Sequence, residues 1–486
     1  MGNATLAAKA ESAKTRNWRK LLPDVWEFLK PRRAILALGF GLMVVNRLAG
    51  LVLPASSKFF IDDVLVHHQA HLLAPIVLAV VVATLIQGLT SYGLTQVLSK
   101  EAQRLIAELR VRVQSHVGRL PLAFYDSTKA GVLVARIMTD VEGLRNLLGT
   151  GMVQFAGGLL TALFALIVLL KISAFMTLIA VGILIAFSLV LNKAFSVIRP
   201  IFRERRKINA EVTGRLTESI GGVRVVKGYH AEDREQRVFA EGVGRLLDNV
   251  IRTLTATSVM SLAATTLLGL VSALVMVLGA HRILGGRMTL GTFVTYTIFL
   301  AMLVAPAMQV VGIGTQLSEA MAGLERTREV LEERREDDDP MRSIVMPPLQ
   351  GDVRFERVFF AYEPSKAVLQ DISFQSSPGT VTALVGPSGA GKSTLIGLVC
   401  AFYTPIEGGI TVDGVDLRRV RLDSYRAQLG VVLQESFLFD GTIRENVSFS
   451  RPEATEQEVI EACRIARVDE FAESFERGYD TVVGER

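Results

Sequence analysis

Gly386-Pro387-Ser388-Gly389-Ala390-Gly391-Lys392-Ser393-Thr394 fits the pattern Gly-x-x-x-x-Gly-Lys-Ser, between an apolar run at Val381–Val385 and a helix-like segment at Ser393–Phe402. Glycines in such a loop let successive backbone N–H groups turn inward around phosphate oxygens, and the helix behind them aims its positive end the same way. In that arrangement Lys392 reaches the β- and γ-phosphates and the Ser393 hydroxyl binds Mg²⁺. The preceding strand and following helix are the context this motif requires. The loop therefore marks a nucleoside-triphosphate site and an α/β domain around it.

Upstream the composition changes completely. The chain has 486 residues, half of them apolar, with aromatics at 7% and a formal charge of +5. Lys and Arg crowd into a few segments between long uncharged runs, which points to membrane topology and away from nucleic acid. A spanning helix needs about 20 mostly apolar residues. Six stretches qualify: Ala34–Ser56, Leu72–Leu98, Gly151–Leu170, Ser173–Leu191, Ser258–Leu284 and Leu290–Leu317. Backbone groups in hydrocarbon must be satisfied internally, so these are helices. Arg47 and His281 are charged or titratable residues within them, and Arg282 falls in the last turn of the fifth. Residues 1–33 are polar and basic, and the apolar run after them exceeds the ~7–15 residues of a signal peptide. That run reads as a retained span with a cytoplasmic N-terminus.

Links after the first, third and fifth stretches are short. Those after the second and fourth are long and carry Lys100, Arg104, Arg110, Arg112 and Arg119, and Arg203, Arg205, Arg206 and Lys207. The positive-inside rule puts both long links and both termini in the cytoplasm. Leu105, Leu109, Val113 and Val117 recur at helical spacing, so each link is a helical hairpin, with breaks expected at Pro121–Gly131 and near Thr213–Gly222. The expected domains are a cytoplasmic segment at 1–33, a transmembrane domain at 34–323, a charged linker at 324–350 and a nucleotide-binding domain at 351–486. Cys400 and Cys463 lack metal-site or disulfide spacing and are expected to be buried, reduced and inert.

Six spans with two cytosolic hairpins, then a phosphate loop, resemble an ATP-binding cassette exporter half-transporter of the bacterial lipid and multidrug branch, over nearly the whole chain. The fold class this implies is multi-domain, an all-α six-helix transmembrane domain followed by a partial α/β nucleotide-binding domain. The resemblance implies ATP and Mg²⁺ as ligands. ATP would be held by Gly386 to Thr394, and Tyr362 in Phe360-Ala361-Tyr362-Glu363-Pro364 would stack on adenine. Gln434, in Val431-Val432-Leu433-Gln434-Glu435, matches the family's Q-loop glutamine, which meets Mg²⁺ and positions water. Phe124–Gly131 and Ser219–Gly222 resemble coupling helices. The implied partner is a second half-transporter, identical or different, in a bacterial-type cytoplasmic membrane. The implied activity is ATP-driven export or flipping of a hydrophobic or amphipathic lipid or drug-like substrate.

Thr481-Val482-Val483-Gly484-Glu485-Arg486 matches the segment just before the family's Leu-Ser-Gly-Gly-Gln signature. A nucleotide domain incomplete at its C-terminus is therefore expected, without signature, acidic Mg²⁺ strand or catalytic Glu, and inactive by itself. Such a domain should leave sheet edge and apolar surface uncovered. Two alternatives stay open: a non-hydrolysing regulatory half of a heterodimer, and an exporter-shaped importer of chelated metal. Arg47 is a substrate candidate because charge at bilayer depth is expensive. The alternative places it near the outer end of its helix, snorkelling or paired with Asp62 or Asp63. Asn46, Gln87 and Gln154 are further polar cavity candidates, or plain interhelical hydrogen bonds. The near absence of other cations points to a substrate with few negative charges.

Overall fold

The structure, a computed structural model, describes residues 30–143, 145, 150–363, 365–434 and 437–484. The N-terminal segment expected to be cytoplasmic lies almost wholly outside the described residues. Two compact units divide the chain, one formed by residues up to Arg335 apart from Pro121–Ala123, the other by Glu336 onward together with Pro121–Ala123.

The first unit is helical. It comprises α1 (Arg33–Phe59), α2 (Leu73–Leu94), α3 (Lys100–Val117), α4 (Leu122–Ser127), α5 (Ala130–Ala135), α6 (Thr150–Gly221), α7 (Val223–Gly228), α8 (Glu232–Leu284) and α9 (Leu290–Glu332). Among the described residues, four helical segments are long and apolar enough to cross a membrane, Lys30–Val66, Ala70–Val117, Val153–Leu189 and Glu232–Leu284, and Leu290–Pro306 is a shorter apolar helix. Helix α6 is broken at Ser173, whose φ of −159° and ψ of 99° are extended. Ser173 Oγ accepts from Met176 N at 3.4 Å, so the second half begins on its own cap. One residue thus separates the third and fourth expected spans.

Polar side chains fix how these helices meet. Asn46 Nδ2 donates from α1 to Gln87 O at 2.8 Å and to Thr90 Oγ1 at 3.0 Å on α2. Buried Asp62 accepts from Gly291 N at 2.8 Å and from the Thr289 hydroxyl. The carboxylate therefore sits on the positive end of α9, where it satisfies orphan donors. Around Tyr296 and Phe299 of α9, Leu169 and Met176 from both sides of the Ser173 break close a core with Val271 and Val275. A second core gathers Leu105, Leu109, Val113 and Val117 of α3 with Leu133, Val141, Leu324 and Val330. It shows that the four-residue spacing was a buried face.

Two boundaries differ from expectation. Residues 324–332 are the end of α9, not linker: Leu324 and Val330 are buried against α3, and Arg326 grips Asp140 through Nε at 2.8 Å and Nη2. From Glu336 the chain belongs to the second unit. Met346 is buried there, Ile344 bridges Val420, and Arg426 Nη1 holds Glu336 at 2.7 Å. Charge density misled the reading, because the charged residues occupy only the outer face of an amphipathic turn. The second hairpin break also shifts. The long helix runs through Thr213 to Gly221, and the short segment is Val223–Gly228.

In the second unit β1 (Val353–Glu363), β2 (Lys366–Ser376), β3 (Glu407–Val412) and β4 (Val415–Asp416) form an antiparallel sheet in the order β2-β1-β3-β4. Helices α10 (Lys392–Val399), α11 (Leu422–Arg426), α12 (Ile443–Val447), α13 (Glu456–Ile465) and α14 (Asp469–Ala472) follow, and β5 (Gly441–Thr442) pairs with β6 (Val482–Val483). Phe355, Val358, Phe360, Leu369, Leu398, Ile410 and Tyr425 are buried in one core. Cys400 and Cys463 are buried and unpaired.

The expected strand at Val381–Val385 does not join a ladder. It has no strand partner among the described residues, and Val381 and Val385 are 99% and 94% exposed. Val431–Leu433 is equally unpaired, with Val432 100% exposed. A strand is a shared object: β-prone residues adopt it only where a neighbour receives their N–H and C=O groups.

Asp413, in the turn between β3 and β4, accepts backbone N–H bonds from Gln350, Gly351 and Asp352 at 2.8–3.0 Å. Burial pushes its carboxyl up, but the three bonds outweigh it and hold the group below the usual carboxylate range. Its contribution is then present above the unfolded value of about 3.9 and lost as pH falls through the folded one. Asp413→Ala is expected to destabilise the second unit by about 1–3 kcal/mol, toward the lower end because solvent screens the site. Thermal melts should show the deficit at pH 7 shrinking below pH 4. A deficit that persists unchanged at pH 3 would contradict this account.

Candidate functional site

The nucleotide loop hangs between the unpaired segment 381–385 and α10. Gly389 and Gly391 have φ of +83° and +84°, a region side chains resist. A Cβ on Gly391 would also lie 2.7 Å from Leu369 Cδ2. Left-handed glycines turn the N–H groups of the loop to one side, as a phosphate cradle needs. Lys392 Nζ donates to Gly386 O and Pro387 O, both at 2.8 Å, so its ammonium lies over the loop it would share with phosphate. Ser388, Ala390 and Ser393 are exposed and available. This glycine pattern, the lysine and the exposed Ser393 hydroxyl fit a magnesium-bound nucleoside triphosphate.

Thr394 differs from its neighbours. It is buried, and its hydroxyl is 3.0 Å from the Tyr362 hydroxyl. Tyr362 is half-exposed and meets Phe360 and Tyr403 edge-on, with ring centroids 5.0 Å and 5.2 Å away. The structure thus brings Tyr362 to the loop's helix, with Tyr403 bracing it; Tyr403, 41 residues further along the chain, carried no sequence signal. Gln434 lies in the exposed stretch after Leu433, and its side chain makes no hydrogen bond among the described residues.

The membrane candidates separate. Asn46 is buried and committed to α2. Gln87 is exposed, with its amide packed over Gly50. Arg47 is 14 residues into α1, about 21 Å along its axis at 1.5 Å per residue, so it is not at the outer end. Asp62 is about 22 Å further on and already bonded to α9, so it is not the partner of Arg47. Arg47 instead borders a cavity of about 350 Å³ with Gln154, Thr161, Met302 and Pro306. Its Nε is buried without a hydrogen-bond partner among the described residues. Gly157 makes room for it, since a Cβ there would lie 2.4 Å from Arg47 Nη2, and Gly158 approaches Pro306. The Gly157-Gly158 pair was the missed signal: adjacent glycines inside an apolar helix permit close approach.

Residues 36–307 match the family of ABC transporter transmembrane regions, and residues 369–482 match the ABC transporter family. A Bacillus subtilis protein, YgaD, named as a multidrug export ATP-binding/permease protein, is 30% identical over 467 residues, covering 95% of this chain and 80% of its own. A fatty acid ABC transporter ATP-binding/permease protein of Mycobacterium bovis is 34% identical over 406 residues, 82% of this chain and 62% of its own. The fold is that of a bacterial Atm1-family ABC exporter solved with ATP bound, at a TM-score of 0.78 and 23% identity over 93% of this chain and 80% of the other.

Proposed function

This chain belongs to the ABC transporter family, and on that premise we propose that it is one half of an ATP-driven exporter of hydrophobic or amphipathic molecules, lipid or drug-like. The observation that carries the reading is the left-handed glycine loop closed by Lys392, in the same chain as a helical membrane unit with an open cavity among its helices. The names of the multidrug and fatty acid relatives support the substrate class.

In this reading the backbone N–H groups of Gly389 to Thr394 bind the phosphates, and Lys392 releases its two carbonyls to neutralise the terminal phosphate. Ser393 and Gln434 hold Mg²⁺, which when bound offsets the charge shared by the β- and γ-phosphates. Tyr362 offers its free face to adenine. A second half-transporter completes the site, and the positive-inside rule puts the arginine-rich segments of α3 and α6 in the cytoplasm. Inverted vesicles carrying the assembled transporter should accumulate a fluorescent amphiphile only with ATP and Mg²⁺. Accumulation in right-side-out vesicles instead would make the protein an importer.

Tyr362→Ala should weaken ATP binding about five- to 150-fold, the equivalent of about 1–3 kcal/mol for one stacked base. Tyr362→Phe should bind nearly as wild type, since it keeps the ring and loses only the contact with Thr394. Equal loss in both variants, in equilibrium dialysis, would place the tyrosine's role in holding α10 rather than in stacking.

A further inference from the structure

The cavity beside Arg47 presents two chemistries at once. Its donors are the Arg47 guanidinium and the Gln154 amide. Thr161 spends its hydroxyl proton on Gly157 O at 2.9 Å, so toward the cavity it can only accept. Among the described residues no carboxylate lines the cavity, and Asp62, 15 residues beyond Arg47, is engaged by Gly291 and Thr289. Met302, Ala305 and Pro306 make the apolar part of the lining. A volume of about 350 Å³ falls within the ~300–1,000 Å³ of small-molecule sites.

A guanidinium with a buried, unpartnered Nε is an incomplete hydrogen-bond group. Its planar fork matches the two oxygens of a carboxylate or phosphate. One cation with no compensating acid among the described lining residues favours an anionic head group, and the apolar lining requires hydrocarbon. We propose that this cavity binds a single-chain amphiphile by its oxyanion head, with Arg47 gripping two head-group oxygens and the tail lying along Met302 and Pro306. This rests on the exporter reading and narrows its substrate class.

The test uses the assembled transporter in lipid nanodiscs and equilibrium binding of radiolabelled oleate, oleyl phosphate and oleyl alcohol. Wild type should prefer both acids to the alcohol at least tenfold. Acetate and inorganic phosphate at equal concentration should not displace oleate; if they do so fully, the site takes a free anion and the amphiphile proposal falls. Arg47→Gln should level the three affinities, and Arg47→Lys should keep part of the preference. Gly157→Ala retains the arginine but drives a methyl into its guanidinium, and should also lose preference. It decides the matter alone if Arg47→Gln does not assemble. A tenfold preference surviving in assembled Arg47→Gln, or in Gly157→Ala where the former is absent, overturns the proposal. ATP-driven transport of a neutral amphiphile, measured alongside, shows whether the exporter reading stands when this one fails.

Discussion

Lys392→Ala is expected to lower the ATP turnover of the assembled transporter by about 10²-fold or more, and to weaken ATP binding much less. In the structure the ammonium is parked 2.8 Å from two loop carbonyls, so contact with a phosphate in the ground state exchanges one set of hydrogen bonds for another. The gain appears where negative charge grows on the terminal phosphate as the reaction proceeds. Removing one preorganised donor from such a position typically loses about 10²–10³ in rate. Phosphate release and nucleotide binding, measured on the same preparation, separate the two effects. Turnover within tenfold of wild type would remove Lys392 from the reaction and with it the proposed ATPase.

Gly408→Ala should be the most damaging single methyl in the second unit. Gly408 has φ of +78°, and a Cβ there would lie 2.1 Å from Arg357 O and 2.4 Å from Glu356 O. These are backbone atoms at the bulge of β1 that faces Gly408, and main chain between two paired stretches yields less readily than a side chain. The left-handed backbone costs about 1–2 kcal/mol in a non-glycine residue, and overpacking adds about 1–3 kcal/mol. The combined loss of about 2–5 kcal/mol is a large part of a domain's stability of about 5–15 kcal/mol. Hydrogen exchange across Val353–Ser376 and Glu407–Val412 should rise sharply, while α1 to α9 stay protected. Unchanged protection of β1 would show that the strand end relaxes freely.

The membrane helices were legible because hydropathy acts over many residues and tolerates error at any one of them. The break at Ser173 fell where the third and fourth stretches were divided. The linker was misread because charge on one helix face looks, in sequence, like solvated chain; only the burial of Leu324 and Val330 against α3 shows otherwise. The nucleotide loop was read whole, since its glycines act through local backbone angles. Its surroundings were not: Tyr403 braces Tyr362 across 41 residues. Arg47 stands out in the sequence as a charge inside an apolar stretch, yet its neighbours across the helices could not be found by counting along α1.

What the sequence determined by itself, then, is what local forces decide: apolar runs long enough to span lipid, the amphipathic face of α3, and a glycine loop that only left-handed angles can close. Tertiary structure decided everything that needs two distant segments. It committed Asp62 to α9 and not to Arg47, and it left Val381–Val385 without a strand partner among the described residues. It also placed Arg47 beside Gln154 and Pro306 at a cavity. The reason is physical: a hydrogen bond or a cavity wall depends on which groups meet, and chain order sets only which groups exist.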